Sequence, residues 1–269
     1  MNKFFKAATI AIMGIVLSGA VNAQSALNEI LSSGVLKVGT TGDWNPMTVR
    51  DPATNSYKGF DIDIAMMLCA KMDAECELVE QDWDGIIPAL LAKKYDAIIA
   101  SMSITEERKK RVDFTNRYYD TPAMFIAKDG SGIEISASGL SGKRVGVQRG
   151  TIHQCWVEKA FPDAELVLYG TQEDVFADLA AGRIDAQLSD SVQGLEGFLN
   201  VDAVKGYGFV GGAQIDVPCF GEGAGIAVRK GNADLVQSFN NAIQAIRVDG
   251  SYEALSMKYF GTDIYGAGS

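Results

Sequence analysis

The chain has 269 residues, 47% hydrophobic and 22% charged, with 34 acidic against 24 basic side chains and a formal charge of −10. That acidity gives no basic field for a phosphate backbone and argues against nucleic acid as a partner. The length allows a sizeable core and two lobes.

Residues 1–23 place Lys3 and Lys6 before an apolar run, 7–17, and end in Val21-Asn22-Ala23. This order predicts a secretory signal peptide cleaved after Ala23, with an apolar part too short for a stable membrane span. Cleavage removes two lysines and no acid, which leaves 246 residues (269 less 23) with a formal charge of −12. No later run approaches the roughly 18 apolar residues of a spanning helix. All four cysteines fall in the exported part, where oxidation is permitted. Cys69 and Cys76 flank a short Asp-containing turn between a helix end and a strand start, so they are paired first among the three possible pairings. Cys155 and Cys219 remain. One histidine and no Cys-x-x-Cys argue against a metal site, and nothing calls for a cofactor.

In chain order, residues 35–40 read as a strand running into the loop Thr41-Gly42-Asp43-Trp44-Asn45-Pro46. The spacing of Ile64, Met67 and Leu68 predicts a helix over 59–68 with one apolar face, its methionines serving as core. A strand at 76–80 and a helix over 84–93 follow. The run Ala97-Ile98-Ile99-Ala100 then predicts a buried strand ending at Ser101, after which a helix opens at Thr105 with acids in its first turn and Arg108 one turn in. Such alternation predicts a parallel sheet.

A second run begins after Tyr118-Tyr119. It comprises a strand at 123–127, a Gly- and Ser-rich loop over 130–142, and a strand, tight turn and helix opening over 143–151. Next come a strand at 166–169, a helix over 172–181, a strand at 184–188 ending in Ser189-Asp190, and a helix over 191–199. The chain closes with the strand-like stretch 223–229 and helices over 233–247 and 251–259. The glycines of Gly221-Glu222-Gly223-Ala224-Gly225 precede a strand, and no Lys-Ser/Thr follows, so a phosphate loop is rejected.

Ligands of open α/β sheets bind beyond the carboxyl ends of the strands. The residues there are Thr41 to Trp44, Trp83, Ser101, Ser103 with Arg108, Gln148 to Thr151, and Asp190. Helix openings attract anions, and an arginine closes on a carboxylate with two parallel hydrogen bonds. Arg108, Ser103 and Thr151 thus suit a carboxylate, and Asp190 suits an ammonium. Together they describe an α-amino acid. His153 falls in the first turn after Thr151, where a solvated helix residue is the simplest expectation. It has no Ser or Cys nucleophile beside it, so a hydrolytic triad is unsupported.

At this point the chain resembles the periplasmic amino-acid-binding proteins of ABC importers, most closely the lysine/arginine/ornithine and histidine binders. The matching stretches include Gly59-Phe60-Asp61-Ile62-Asp63, Ser103-Ile104-Thr105-Glu106-Glu107-Arg108, Gly142-Lys143-Arg144-Val145-Gly146-Val147 and Ala181-Gly182-Arg183-Ile184-Asp185-Ala186. The Cys69–Cys76 pair also matches that subgroup in place and spacing.

The resemblance implies a type II two-lobe α/β fold that closes on its ligand, with crossover hinge strands near 123–127 and 219–225. Lobe I would comprise 24–122 and 221–269, and lobe II 123–220. It also implies a periplasmic monomer, not an enzyme, that delivers an amino acid to an inner-membrane permease. Arg108, Ser103 and Thr151 would bind the α-carboxylate, while Asp190, Ser101 and Ser103 would bind the α-ammonium. Trp44 and Trp83 would sandwich the side chain, with Thr41, Asp43, Gln148 and His153 around it.

Two positions depart from that pattern. Thr41 stands where basic-amino-acid binders place an acid, with Asp43 or Glu222 as the substitutes to test, and Ile152 and His153 replace small or polar residues. Gly39-Thr40-Thr41-Gly42-Asp43-Trp44 also resembles the opening of periplasmic cyclohexadienyl (arogenate/prephenate) dehydratases. Gln193 stands where those enzymes carry a glutamate, and an amide lacks the proton that a general acid must give.

Overall fold

A computed structural model describes residues 25–266, and the predicted signal peptide lies outside them. Its strands are β1 (Val35–Thr40), β2 (Asp43–Trp44), β3 (Thr48–Arg50), β4 (Tyr57–Lys58), β5 (Glu75–Glu80), β6 (Ala97–Ile98) and β7 (Val112–Tyr119). They continue with β8 (Ala123–Lys128), β9 (Arg144–Gln148), β10 (Glu165–Tyr169), β11 (Ala186–Asp190), β12 (Tyr207–Gln214) and β13 (Ala224–Arg229). Two five-stranded sheets result, ordered β5-β1-β6-β13-β7 and β10-β9-β11-β8-β12, with β2-β3-β4 as a small third sheet.

The apolar runs have a simple cause. Successive side chains on a strand point to opposite faces, so a strand covered on both faces must be apolar throughout. In the first sheet Ala97, Ile99, Ile226 and Val228 enter one core, while Ile98, Ala100 and Ala227 enter another. In the second, Phe125, Val145, Val147 and Leu188 pack on one side and Ile126 and Ile184 on the other.

The expected parallel sheets are mixed. β1 pairs parallel with β5 and β6, and β9 pairs parallel with β10 and β11. β13 runs antiparallel to β6 and β7, and β8 antiparallel to β11 and β12. Each sheet therefore has one strand running against the other four. The reason is the crossing between lobes, because a strand arriving from the cleft must run away from it. β8, expected at the first crossover, lies inside the second sheet, and the connections themselves are residues 120–122 and 221–223. On the return path Gly221 has φ +77°, and a Cβ there would meet the Ile104 carbonyl oxygen at 2.1 Å. Only glycine fits so close an approach.

Several elements differ from the sequence expectation. The helix expected over 84–93 is a single 3₁₀ turn, Trp83–Gly85, followed by Ile86–Leu91. The helix opening at Thr105 is one turn, Glu106–Lys109, and the stretch 191–199 becomes the short helix Ser191–Gly194 and a wider turn, Leu195–Leu199. The helix Ala26–Ser33, capped by Ser25, and the strands β7 and β12 were not anticipated.

Both expected disulfides are present. Cys69–Cys76 ties the helix Phe60–Lys71 to β5, and Cys155–Cys219 ties the helix Ile152–Ala160 to the short helix Val217–Phe220. Their sequence separations are 7 and 64 residues. Loop-closure entropy assigns them about 2 and about 4 kcal/mol respectively. Replacing Cys155 and Cys219 by alanine should therefore lower the unfolding free energy about twice as much as replacing Cys69 and Cys76. Denaturant titration of the two double variants checks this, and an equal loss would contradict it.

Candidate functional site

The carboxyl ends of β1, β6 and β7 face those of β9, β11 and β12 across a cavity of about 360 Å³. Thr41, Asp43, Trp44, Trp83, Ser101, Ser103, Arg108, Gln148, Thr151, His153 and Asp190 all line it. The sequence-selected residues are thus brought to one place, although they span 150 positions of the chain (41 to 190).

Arg108 comes from the one-turn helix whose cap, Thr105, accepts the Arg108 backbone N–H at 3.3 Å. Lys109 and Lys110 turn outward to Glu106, Glu222 and Glu107, while Arg108 turns in. Its guanidinium donates to the carbonyls of Ser103 (3.0 Å) and Gly150 (3.4 Å) and lies 5.2 Å from the centre of the Trp83 ring. No carboxylate pairs with it among the described residues, and burial alone lowers it to about 10. So short a helix adds no anion site of its own, and on this side the guanidinium supplies the charge.

Across the cavity the helix Ile152–Ala160 supplies backbone donors. The Thr151 hydroxyl is already engaged, donating to the Gln148 carbonyl (2.7 Å) and accepting the Gln154 N–H (3.4 Å). The Ile152 and His153 N–H groups have no acceptor within the helix and are the orphan donors of its first turn. His153 is not solvated as expected. It is 3% exposed, neither ring nitrogen has a partner, and burial followed by the Arg108 charge pushes it down to about 3. A neutral imidazole beside a guanidinium avoids repulsion.

Asp190 ends β11 and caps the following helix by accepting the Val192 N–H at 2.9 Å. Thr121 donates to its other oxygen. No cation pairs with it among the described residues, and burial pushes it up to about 7 against the opposing effect of those hydrogen bonds. The cavity thus holds an unpaired guanidinium and an unpaired carboxyl.

The remaining lining residues set its shape. Gln148 is buried and donates to the Gly170 carbonyl at 3.0 Å. The Thr41 hydroxyl bonds with Thr48 at 2.9 Å, and the buried Trp44 indole N–H has no partner. Asp43 is raised mainly by burial, with Asp82 and Glu80 adding to the effect. Glu173, from the opposite lobe, is raised by burial and by Asp43. Glu222 does not line the cavity. Its side chain is 64% exposed and pairs with Lys109 at 3.4 Å.

Sequence reasoning missed residues at and beside the crossovers, among them Tyr119, Thr121, Gln214, Asp216 and Phe220, which also line the cavity. The pairing of Thr121 with Asp190 spans 69 positions and carries no local signal. The two lobes touch where the Trp83 indole donates to the Gly150 carbonyl at 3.3 Å and Arg149 pairs with Asp84 at 3.2 Å.

Comparison with known proteins fits this architecture. Residues 36–262 match the bacterial extracellular solute-binding proteins, family 3. The L-arginine-binding protein of Pseudomonas aeruginosa is 45% identical over 234 residues, covering 86% of this chain and 90% of that one. The lysine/arginine/ornithine-binding periplasmic protein of Escherichia coli is 38% identical over 252 residues, covering 93% and 95%. Among solved structures, an ancestral amino acid-binding protein described as a precursor of cyclohexadienyl dehydratase superposes with a TM-score of 0.77 at 32% identity, covering 88% of this chain and 99% of that one. The chain belongs to the bacterial extracellular solute-binding proteins, family 3.

Proposed function

We propose that the chain is the periplasmic capture component of an ABC importer, that residues 1–23 are removed on export, and that its ligand is an L-α-amino acid with a polar or basic side chain. The observation that carries this is the pair of opposite, half-buried groups in one cavity, Arg108 and Asp190, neither with an ion-pair partner among the described residues. A buried charge without a partner costs several kcal/mol, and a zwitterion supplies both partners at once. The α-carboxylate meets Arg108 and the N–H groups opening the helix after Thr151. The α-ammonium meets Asp190 with the Ser101 and Ser103 oxygens, and the side chain runs between Trp44 and Trp83.

Asp43 takes the part of the acid missing at Thr41. With Asp82 and Glu173 near it, and Glu80 beyond them paired with Arg50, it gives the side-chain end a negative field that favours a cationic group. The arginine- and lysine-binding relatives agree with that preference. L-arginine is accordingly the first probe. Capture by lobe closure would present the loaded protein to a membrane permease. For the dehydratase reading the supporting observation is the ancestral neighbour, but Gln193 is an amide, 1% exposed and outside the cavity lining.

A thermal-shift screen of the amino acids, confirmed by calorimetry, should show tightest binding to L-arginine or another basic amino acid, since binding stabilises only the folded state. Arg108→Ala and Asp190→Asn should each weaken it by about thirty-fold or more, the cost of leaving a charge unpaired. Absence of any shift, with phenylpyruvate formed from prephenate, would overturn the reading.

The Asp190 carboxyl, held at about 7 when unliganded, is ionised by the arriving ammonium. Its folded-state value is raised, so the neutral form is favoured and stability of the free protein falls as pH rises from about 4 to about 7. Ligand binding moves the opposite way, releasing a proton and strengthening as pH rises toward about 7. Calorimetry near pH 6 in two buffers of different ionisation enthalpy should detect that proton, and Asp190→Asn should abolish its release.

A further inference from the structure

We propose that Asp61, which lies behind the cavity wall, is a positioning residue for the ligand's α-ammonium and turns the Ser101 hydroxyl into a pure acceptor toward the cavity. The proposal rests on the ammonium assignment made above. Its basis is a closed set of hydrogen bonds. Ser101 Oγ donates to Asp61 Oδ2 at 2.8 Å, and the Tyr118 hydroxyl donates to Asp61 Oδ1 at 2.8 Å. The Ser101 backbone N–H in turn donates to the Tyr118 oxygen at 3.0 Å. A serine hydroxyl has a single hydrogen. Because that hydrogen points into the protein, Ser101 offers only lone pairs to the cavity that it lines.

The backbone is arranged for this. Ser101 has φ +54°, a left-handed conformation uncommon for a residue with a side chain. Gly59 has φ +133°, and a Cβ there would lie 2.2 Å from the Met47 carbonyl oxygen. This glycine lets the chain enter the helix Phe60–Lys71 close against the Met47 carbonyl, which accepts the Asp61 N–H at 3.0 Å. Asp61 is fully buried, and its hydrogen-bond partners are the Ser101 and Tyr118 hydroxyls with the Ser101 backbone, with no cation paired to it among the described residues. Burial raises it to about 6, which leaves it ionised at neutral pH. The titratable groups around it are the phenols of Tyr118, Tyr119 and Tyr252. A buried carboxylate behind a hydroxyl that faces the ligand draws positive charge through that hydroxyl.

An asparagine at 61 would break the pattern without changing its size. With its carbonyl taken by Tyr118, its amide N–H would donate to Ser101 and turn the hydroxyl hydrogen outward against the ammonium. The test is calorimetry on wild type, Asp61→Asn, Ser101→Gly and the double variant. The probes are L-arginine and its deamino analogue, which lacks only the α-ammonium. Glycine suits the positive φ at 101, so Ser101→Gly removes the hydroxyl without backbone strain.

Each single variant should weaken L-arginine by about tenfold and the deamino analogue by less than about twofold, and the double variant should be little weaker than either single. Equal losses for both probes, or single losses that multiply in the double variant, would overturn the proposal. If Asp61→Asn fails to fold, Ser101→Gly still overturns the proposal when it binds L-arginine as tightly as wild type. Failure of wild type to bind L-arginine would overturn the ligand assignment and this proposal with it.

Discussion

The arrangement depends on keeping an arginine charge in a buried cavity without a carboxylate beside it. Arg108 is held by two backbone carbonyls and an indole face, which fix its direction and leave its charge uncancelled. Placing a protein carboxylate next to it would stabilise the empty form and close the site to anions. The same logic applies to Asp190, whose partners are a hydroxyl and backbone N–H groups. Other features follow from this pair. His153 has to remain neutral near Arg108, and burial secures that. Thr151 spends its hydroxyl on capping, which leaves the next two N–H groups free.

Holding both charges apart requires two rigid supports that face each other across the cavity. Each sheet supplies one, and the strands that cross between them account for the single reversed strand in each. Contacts between the lobes near the cavity include one indole and one guanidinium on the Gly150 carbonyl, the Asn45 amide on the Glu196 carbonyl at 3.4 Å, and the exposed pair Arg149–Asp84. An exposed ion pair contributes only about 0–1 kcal/mol. Such contacts align the lobes across the cavity. Gly221 permits the tight return crossing, and the Cys155–Cys219 bond holds the segment beside it to the helix that opens the anion site.

Much of this was legible in the sequence because strand ends carry the polar residues that follow apolar runs. Ser101, Asp190 and Gln148 were found that way, and both cysteine pairs followed from spacing and elimination. Strand direction was not legible, because an apolar run such as Ala224-Gly225-Ile226-Ala227-Val228 looks the same in either orientation. β12 was hidden by its glycines, which weaken strand signals. His153 was misjudged because one position in a first helical turn does not reveal the wall that Phe220, 67 positions later (153 to 220), builds against it. The bond from Asp61 to Ser101 links positions 40 apart and needs the fold to be seen.

The central claim is that one cavity clamps the two charged ends of an α-amino acid, and a crystal structure of the protein grown with L-arginine tests it most directly. The account predicts the α-carboxylate on the Arg108 guanidinium and the Ile152 and His153 N–H groups, and the α-ammonium on Asp190 and Ser101. The side chain would lie between Trp44 and Trp83 and point toward Asp43. A ligand bound the other way round, or outside this cavity, would contradict it.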